Sequence, residues 1–273
     1  MLKVNIVTLF PDFFSSPLKM GILGRAIQSK LLKIHFVNPR DFTADVHQSV
    51  DDTPFGGGDG MVMMYHPLKK AIESLPAASQ KVIYLSPQGQ QWNHVKARTW
   101  AEQADKEWTF ICGRYAGVDQ RFINKYVDEE ISIGDYVLTG GEPAMLVLLD
   151  SLSRFIRGAL GNKSSSINES FEQNHLLEAP QWTRPRDIPG YEIPKVMLSG
   201  HHKDIKNFQY LISILITAVK RPDMLIAGKI QQDLPKAIKM VESLSEKELK
   251  ACGLNMEHLQ TLKKRMGMNT SSD

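Results

Sequence analysis

Short apolar runs alternate with segments of helical spacing along the first 160 residues of the chain, and this alternation restricts the fold more than any other feature of the sequence. The strand-like runs cover residues 4–10, 33–37, 81–86, 107–112 and 130–133. Helical spacing of apolar residues predicts helices over 21–32, 67–75, 93–104, 118–126 and 143–156. Apolar strands separated by such helices are typical of a parallel sheet covered on both faces. The sequence therefore predicts an α/β fold.

The amino-acid composition of the sequence changes after Gly161. Residues 162–170 are polar and rich in serine, which is typical of a linker. From His201 onward the pattern is mostly helical. We therefore expect an α/β domain over residues 1–160, a flexible linker over 161–175 and a mostly helical domain over 176–273.

Composition excludes several classes of protein. With 42% hydrophobic and 23% charged residues, the chain resembles neither a disordered nor a collagen-like sequence. Its longest apolar run, residues 210–219, is shorter than the roughly 20 residues that cross a bilayer. The N-terminus lacks the pattern of a secretory signal, and two distant cysteines, Cys112 and Cys252, do not suggest a disulfide framework or a metal site. We expect a soluble cytoplasmic protein without a membrane partner.

Positive charge is concentrated near the C-terminus. Residues 201–273 contain 12 Lys and Arg against 8 Asp and Glu, whereas the whole chain has a net charge of only +3. A basic region beside a nearly neutral body is compatible with a polyanionic partner such as nucleic acid. A solvated helical face is the alternative interpretation.

Four loops carry the candidate chemistry, and they cover residues 51–61, 84–90, 112–120 and 133–142. The first has four glycines in five positions, which suits either close approach to a ligand or a flexible surface turn. The other three place small residues at the carboxyl edge of the predicted sheet, where parallel sheets bind ligands. None has the glycine spacing of a phosphate loop or a Rossmann dinucleotide site. Together these three loops suggest a pocket for an uncharged, hydrogen-bonding ring such as adenine.

A series of motifs in order and in register carries a resemblance to a known family. The motifs are Thr8–Pro11, Val50–Met61, Leu85–Gly89, Cys112–Tyr115, Ile131–Glu142, Ser153–Ile156, Thr183–Pro185 and Leu198–Gly200. With them the chain resembles the bacterial tRNA (guanine-N(1))-methyltransferase (TrmD) family of the SPOUT class. The resemblance extends to about Leu225 and fades beyond Ile226.

The resemblance implies a parallel sheet with a deep trefoil knot, joined to a small helical C-terminal domain that binds tRNA. It implies S-adenosyl-L-methionine as cofactor, and Mg²⁺ is a further candidate. The expected cofactor-binding residues are Tyr84, Leu85, Ser86, Pro87, Gly113, Tyr115, Ile133, Gly134, Asp135, Tyr136, Val137, Leu138, Gly140 and Gly141. The implied partners are tRNA, which presents a guanosine immediately 3′ to the anticodon, and a second copy of the chain, because in the family the active site lies at the interface of a homodimer.

The expected reaction needs a base and a cation. Guanine N(1) carries a proton at neutral pH, so a carboxylate must remove it before the nitrogen can accept a methyl group. Negative charge then develops on O6, where a guanidinium stabilises it. By the resemblance the base is Glu169 and the cation is Arg154 on the helix over 143–156. The expected substrate-binding residues are Gly57, Gly58, Asp59, Gly60, Met61, Arg114, Ser199 and His201.

The chain departs from the family pattern at several positions. Glu169 stands where the family usually has aspartate, and Ala116 where it generally has glutamate. Gln48 replaces a usual basic residue and Phe208-Gln209 a common Trp-Arg pair, which removes cations, while Asp59 replaces a usual proline and His201 a usual asparagine. These departures keep open a catalytically impaired paralogue that binds RNA, or a SPOUT methyltransferase of altered RNA specificity. Glu169 could also be a solvated linker carboxylate, and Arg154 part of a structural salt bridge. We expect weaker tRNA binding, with a smaller salt dependence, than in a typical member.

Overall fold

The computed structural model describes residues 1–76, 80–103, 107–160, 169–172, 176–226 and 229–267. The chain divides into two compact units, Met1–Lys163 and Ser164–Asp273. Of the expected linker, residues 161–168 and 173–175 lie outside the described residues. The two cysteines fall in different units, where each is buried and free. None of the described helices has the length and apolar character needed to cross a membrane.

A parallel sheet forms the centre of the first unit, as the alternation of apolar runs predicts. The strands are β1 (Leu2–Val7), β2 (Leu32–Val37), β3 (Asp51–Asp52), β4 (Val62–Met63), β5 (Gln80–Gln91), β6 (Glu107–Ile111) and β7 (Glu129–Ser132). Five of them pair in the order β2-β1-β6-β5-β7, and all four pairings are parallel. The two-residue strands β3 and β4 form a separate antiparallel hairpin.

The helices of this unit begin and end close to the predicted positions. They are α1 (Gly21–Gln28), α2 (Tyr65–Glu73), α3 (His94–Ala101), α4 (Gln120–Tyr126) and α5 (Glu142–Ser153). Helix α4 begins later than predicted because the Asp119 side chain accepts the Arg121 N–H and caps the helix there. The prediction that α5 continues to residue 156 and carries Arg154 in its interior is wrong: Arg154 is the C-cap, and the Ser153 hydroxyl donates to the Asp150 carbonyl in the last turn.

Apolar side chains cover both faces of the sheet. Helices α1, α3 and α5 contribute to one core, in which Trp100 stacks on Trp108 with ring centroids 4.2 Å apart. Helices α2 and α4 contribute Leu68 and Phe122 to a core on residues such as Val7 and Ile111. This two-sided burial explains why the strands appear as continuous apolar runs in the sequence.

An irregularity in β5 shapes the sheet edge that later matters for binding. Both Leu85 and Gln90 pair with Ile131 of β7, so residues 86–89 leave the ladder. A Cβ on Gly89 would lie 2.3 Å from the Glu130 carbonyl carbon, which makes glycine necessary where the chain rejoins the sheet. The bulge therefore holds residues 86–89 out of the ladder while the backbone on either side stays paired.

The second unit is built around one long helix. Its helices are α6 (His202–Lys220), α7 (Lys229–Val241), α8 (Glu246–Ala251) and α9 (Met256–Arg265). Helix α6 supplies much of the core, with Ile212, Ile214 and Leu215 fully buried. Helix α8 is fixed to the segment that precedes α6, because buried Glu248 accepts the Lys195 N–H at 3.0 Å.

Candidate active site

A pocket of about 180 Å³ lies where the bulged part of β5 meets the loops that follow β6 and β7. It is lined by Tyr84, Leu85, Ser86, Pro87, Gly113, Arg114, Tyr115, Ala116, Gly117, Ile131, Ser132, Ile133, Gly134, Tyr136, Val137, Leu138, Thr139, Gly140, Gly141 and Ala144. This is the sheet edge at which parallel α/β folds bind ligands. The three strand-end loops singled out in the sequence thus meet in one place.

Most residues that the sequence assigns to cofactor binding line this pocket. The exception is Asp135, which belongs to the same loop but is not among the lining residues. The expected substrate residue Arg114 also lines the pocket. Sequence reasoning missed Ala116, Gly117, Ile131, Ser132, Thr139 and Ala144 as lining residues. Ala116, Gly117 and Thr139 lie beside predicted residues in the same loops, whereas Ile131 and Ser132 belong to β7 and Ala144 belongs to α5.

The loops after β6 and β7 contact each other at very close range. The Gly141 N–H donates to the Gly113 carbonyl at 2.9 Å, and Arg114 and Gly140 form an isolated antiparallel bridge. A Cβ on Gly141 would lie only 2.7 Å from the Cα of Cys112. Because any larger side chain would push the loops apart, glycine at 141 is a packing requirement of the pocket wall.

The lining combines apolar side chains with neutral polar groups. Leu85, Ile133 and Leu138 supply aliphatic surface, and Ser132 exchanges hydrogen bonds with the backbone of Gly134. Burial, reinforced by the nearby Glu130 carboxylate, raises the pKa of Tyr84 to about 12, so this phenol is neutral at physiological pH. Aliphatic surface beside backbone N–H and C=O groups suits an adenine ring, which has two flat apolar faces and a hydrogen-bonding edge.

A buried charged network stands behind the pocket wall. The Arg114 Nε lies 2.9 Å from the Glu142 Oε2, and the Glu142 side chain is fully buried. The N–H is not aligned with that oxygen, so the contact is an ion pair rather than a hydrogen bond. The Thr8 hydroxyl donates to the other Glu142 oxygen at 2.7 Å. Arg114 also donates from Nη1 to the Thr139 carbonyl and lies over the Phe10 ring, 4.4 Å from its centroid.

Nothing in the sequence alone indicates that Glu142 is buried. A glutamate at the start of a helix is typical of an exposed residue that favours the helix N-terminus. That the carboxylate has a cationic partner in the Arg114 loop is a property of the three-dimensional fold.

The glycine-rich loop lies next to the same pocket. It joins β3 to β4 and contains the expected substrate residues Gly57, Gly58, Asp59 and Gly60, all exposed, with Met61 half-buried at its end. The loop's four glycines, Gly56, Gly57, Gly58 and Gly60, all have positive φ. The Ala116 N–H donates to the Met61 carbonyl at 2.8 Å, and the Met63 N–H donates to the Gly117 carbonyl at 2.9 Å. The loop is thus anchored to a segment that lines the pocket.

The two expected catalytic residues lie in different units. Arg154 is half-buried at the C-terminus of α5 in the first unit, and Glu169 is half-buried in the second. Glu169 borders a cavity of about 280 Å³ that is also lined by Lys206 and Tyr210 of α6. The structure therefore does not unite base and cation within one unit.

The remaining expected substrate residues lie directly before α6, which begins at His202. Ser199 and His201 are both exposed, and the Ser199 hydroxyl accepts the His201 N–H at 3.1 Å. Among the described residues, no group of three or more His, Cys, Asp or Glu side chains is arranged to hold a metal ion.

The sequence of the chain matches a known protein family. Residues 2–227 match the model of the family described as tRNA (Guanine-1)-methyltransferase TrmD. A tRNA (guanine-N(1)-)-methyltransferase of Lactobacillus helveticus is 45% identical over 89% of this chain and 99% of its own length. Those of Carboxydothermus hydrogenoformans and Haemophilus influenzae are 47% and 41% identical, over 82% and 88% of this chain and 87% and 98% of their own lengths.

Proposed function

The chain belongs to the tRNA (guanine-1)-methyltransferase TrmD family, and from this premise we propose that it transfers a methyl group from S-adenosyl-L-methionine to N(1) of the guanosine immediately 3′ to the anticodon in tRNA. The observation that carries the proposal is the meeting of three strand-end loops in one pocket at the carboxyl edge of the sheet. The enzyme is a methyltransferase, because its relatives across most of the chain carry that activity in their names.

The pocket is the proposed cofactor site. Its neutral polar groups and the aliphatic side chains Leu85, Ile133 and Leu138 fit the adenosine part of the cofactor. When bound, S-adenosylmethionine supplies a methyl group on a positively charged sulfur, which keeps the electron pair of the S–CH₃ bond as the methyl leaves. The proposed cofactor residues are those expected from the sequence, and exposed Asp135 belongs to the same loop without lining the pocket. From the family resemblance we propose that these loops belong to a trefoil knot.

The protein supplies a base, a cation and positioning. The Glu169 carboxylate accepts the N(1) proton of guanine, which frees the nitrogen lone pair for attack on the methyl carbon. The Arg154 guanidinium stabilises the negative charge that develops on O6. The pocket and the glycine-rich loop then hold the two reacting atoms in line, and such positioning contributes much of the rate enhancement. No covalent enzyme intermediate is required.

Glutamate in place of the family's usual aspartate preserves this chemistry. Glutamate carries the same carboxylate group as aspartate, so Glu169 offers the same kind of proton acceptor. Its side chain is one methylene longer, and catalytic groups must be held to within about 0.5 Å. We propose that the surrounding chain compensates for the extra length.

We propose, from the family resemblance, that the active site is completed in a homodimer. In such a dimer the pocket of one subunit would meet the linker and C-terminal unit of the other. We propose that the first unit binds the cofactor and that the second binds tRNA, through Ser199 and His201 together with Gly57–Met61 and Arg114 of the first. A cytoplasmic location belongs to the same proposal, and Mg²⁺ is a candidate second cofactor, which chelation with EDTA tests.

Methyl transfer to paired tRNA transcripts tests the proposal. One transcript carries guanosine and the other adenosine immediately 3′ to the anticodon, and both are incubated with radiolabelled cofactor. We expect transfer to the guanosine transcript alone, with 1-methylguanosine in its digest. Equal transfer to both transcripts would indicate altered specificity. Cofactor binding without any transfer would indicate an inactive RNA-binding paralogue.

A further inference from the structure

The proposed cofactor pocket has a positive charge in its wall, and the fold supplies a compensating negative charge. Within the described part of the chain, Arg114 is the only Lys, Arg, Asp or Glu among the residues that line the pocket. A cation in the wall opposes binding of a ligand whose reactive sulfur is itself positively charged. The proposed cofactor is such a ligand, so the following inference rests on the proposed function.

The counter-charge lies directly behind the wall. Glu142 places Oε2 2.9 Å from the Arg114 Nε, and its side chain is 0% exposed. A carboxylate without access to water is costly unless a positive group or hydrogen bonds compensate it. Thr8 provides one hydrogen bond and Arg114 provides the charge. Two segments of the chain therefore hold the Glu142 carboxylate: Thr8, directly after β1, and Arg114, in the loop after β6.

The guanidinium is also fixed in place. Its Nη1 donates to the Thr139 carbonyl at 3.2 Å, and its face lies 4.4 Å from the centroid of the Phe10 ring. A Cβ on Gly140 would come within 2.3 Å of the Arg114 Nε, so the glycine creates the space that the guanidinium fills. These contacts prevent the guanidinium from turning away from the pocket to relieve repulsion.

We infer that Glu142 is a positioning and electrostatic residue that neutralises Arg114, so that the pocket accepts the positively charged methyl donor and does not favour the neutral product. The substrate and the product, S-adenosylhomocysteine, share their adenosine and amino-acid parts and differ in the methyl group and in the charge on sulfur. A group that acts through charge alters the ratio of their two affinities. A group that merely supports the fold weakens both affinities equally.

Calorimetric titration of both ligands into the purified full chain tests the inference. Glu142→Gln keeps the size of the side chain and an oxygen that accepts the Thr8 hydroxyl, but it leaves Arg114 without its counter-charge. Two unit charges about 10 Å apart, at an effective dielectric constant of about 20, change an affinity roughly tenfold. We therefore expect the affinity for S-adenosylmethionine, relative to that for S-adenosylhomocysteine, to fall roughly tenfold. Glu73→Gln, at an exposed helical carboxylate paired with Lys69, is the matched control and should leave the ratio unchanged.

Two further variants keep the inference falsifiable if Glu142→Gln does not fold. Arg114→Gln leaves the carboxylate unopposed and should raise the same ratio roughly tenfold. The double variant removes both charges and should return the ratio to the wild-type value. An equal loss of both affinities in Glu142→Gln, or an unchanged ratio in Arg114→Gln, would overturn the inference. If neither ligand produced heat with the wild-type chain, the proposed function itself would fail.

Discussion

Replacing Gly141 by alanine tests whether the close crossing of the two loops maintains the pocket. The added Cβ would lie 2.7 Å from the Cα of Cys112, 3.1 Å from the nitrogen of Gly113 and 3.2 Å from the carbonyl carbon of Cys112. Ordinary contacts between carbon atoms are about 3.5–4.0 Å, so the loops must separate by roughly 1 Å. The Gly141 φ of −77° is normal for alanine, so the effect arises from the clash alone.

The magnitude follows from this displacement. Overpacking of a filled site costs about 1–3 kcal/mol, and a loss of about 2 kcal/mol lowers the Tm of a unit of this size by roughly 4–8 °C. Because a shift of about 1 Å in positioning reduces catalysis about 10²-fold, kcat/KM for methyl transfer should fall by that factor. The affinity for the cofactor, measured by calorimetry, should also fall, because the same loops line its site.

Gly253→Ala is the matched control. Gly253 has a φ of 75° and no atom within 4 Å of an added Cβ, so alanine there introduces backbone strain of about 1–2 kcal/mol without a clash. It lies in the second unit, and the variant should keep wild-type cofactor affinity. If Gly141→Ala retained both the wild-type Tm and the wild-type cofactor affinity, the close crossing would not support the pocket and the reasoning would be refuted.

Three other measurements address the base, the buried tyrosine and the RNA-facing charges. Glu169→Gln should lower kcat by at least about 10²-fold and leave cofactor affinity within about twofold, and full activity in this variant would exclude Glu169 as the base. Burial raises the pKa of Tyr84 to about 12, whereas a tyrosine in the unfolded chain loses its proton near pH 10. The free energy of unfolding therefore keeps its full value below pH 10 and falls by roughly 3 kcal/mol as the pH rises to 12. Urea unfolding between pH 9 and 12 should show a smaller decline for Tyr84→Phe, and identical declines would show that Tyr84 is not protected. The slope of log affinity for tRNA against log salt should be smaller in magnitude than that of a typical family member, by about 0.7–0.9 for each phosphate that this chain does not neutralise. Filter-binding slopes of equal size would contradict this expectation.

The sheet was predictable because its inner strands β1, β5 and β6 contain apolar runs that are largely buried on both faces. Apolar runs that alternate with helical spacing are typical of parallel connections. The hairpin of β3 and β4 was not predictable in this way, because two-residue strands have no periodicity. The extension of β5 to Gln91 was also missed, since the Ser-Pro-Gln-Gly sequence is typical of a turn, whereas the structure accommodates it as a bulge.

The pocket was predictable in outline, and its electrostatics were not. Small residues at three strand ends located the lining, and the family resemblance supplied the individual residues. The burial of Glu142 depends on the approach of Arg114 and Thr8, which lie 28 and 134 residues away in the chain. A single sequence contains no local signal for a contact of that range, because a charged residue at a helix start is usually exposed.

Direct titration of S-adenosylmethionine into the purified chain, followed by calorimetry, tests the central claim that the bulged part of β5 and the loops after β6 and β7 form a methyl-donor site. We predict saturable binding to the wild-type chain and a much weaker affinity in Gly141→Ala. Absence of binding to folded wild-type protein, or equal affinity in the two proteins, would contradict that claim.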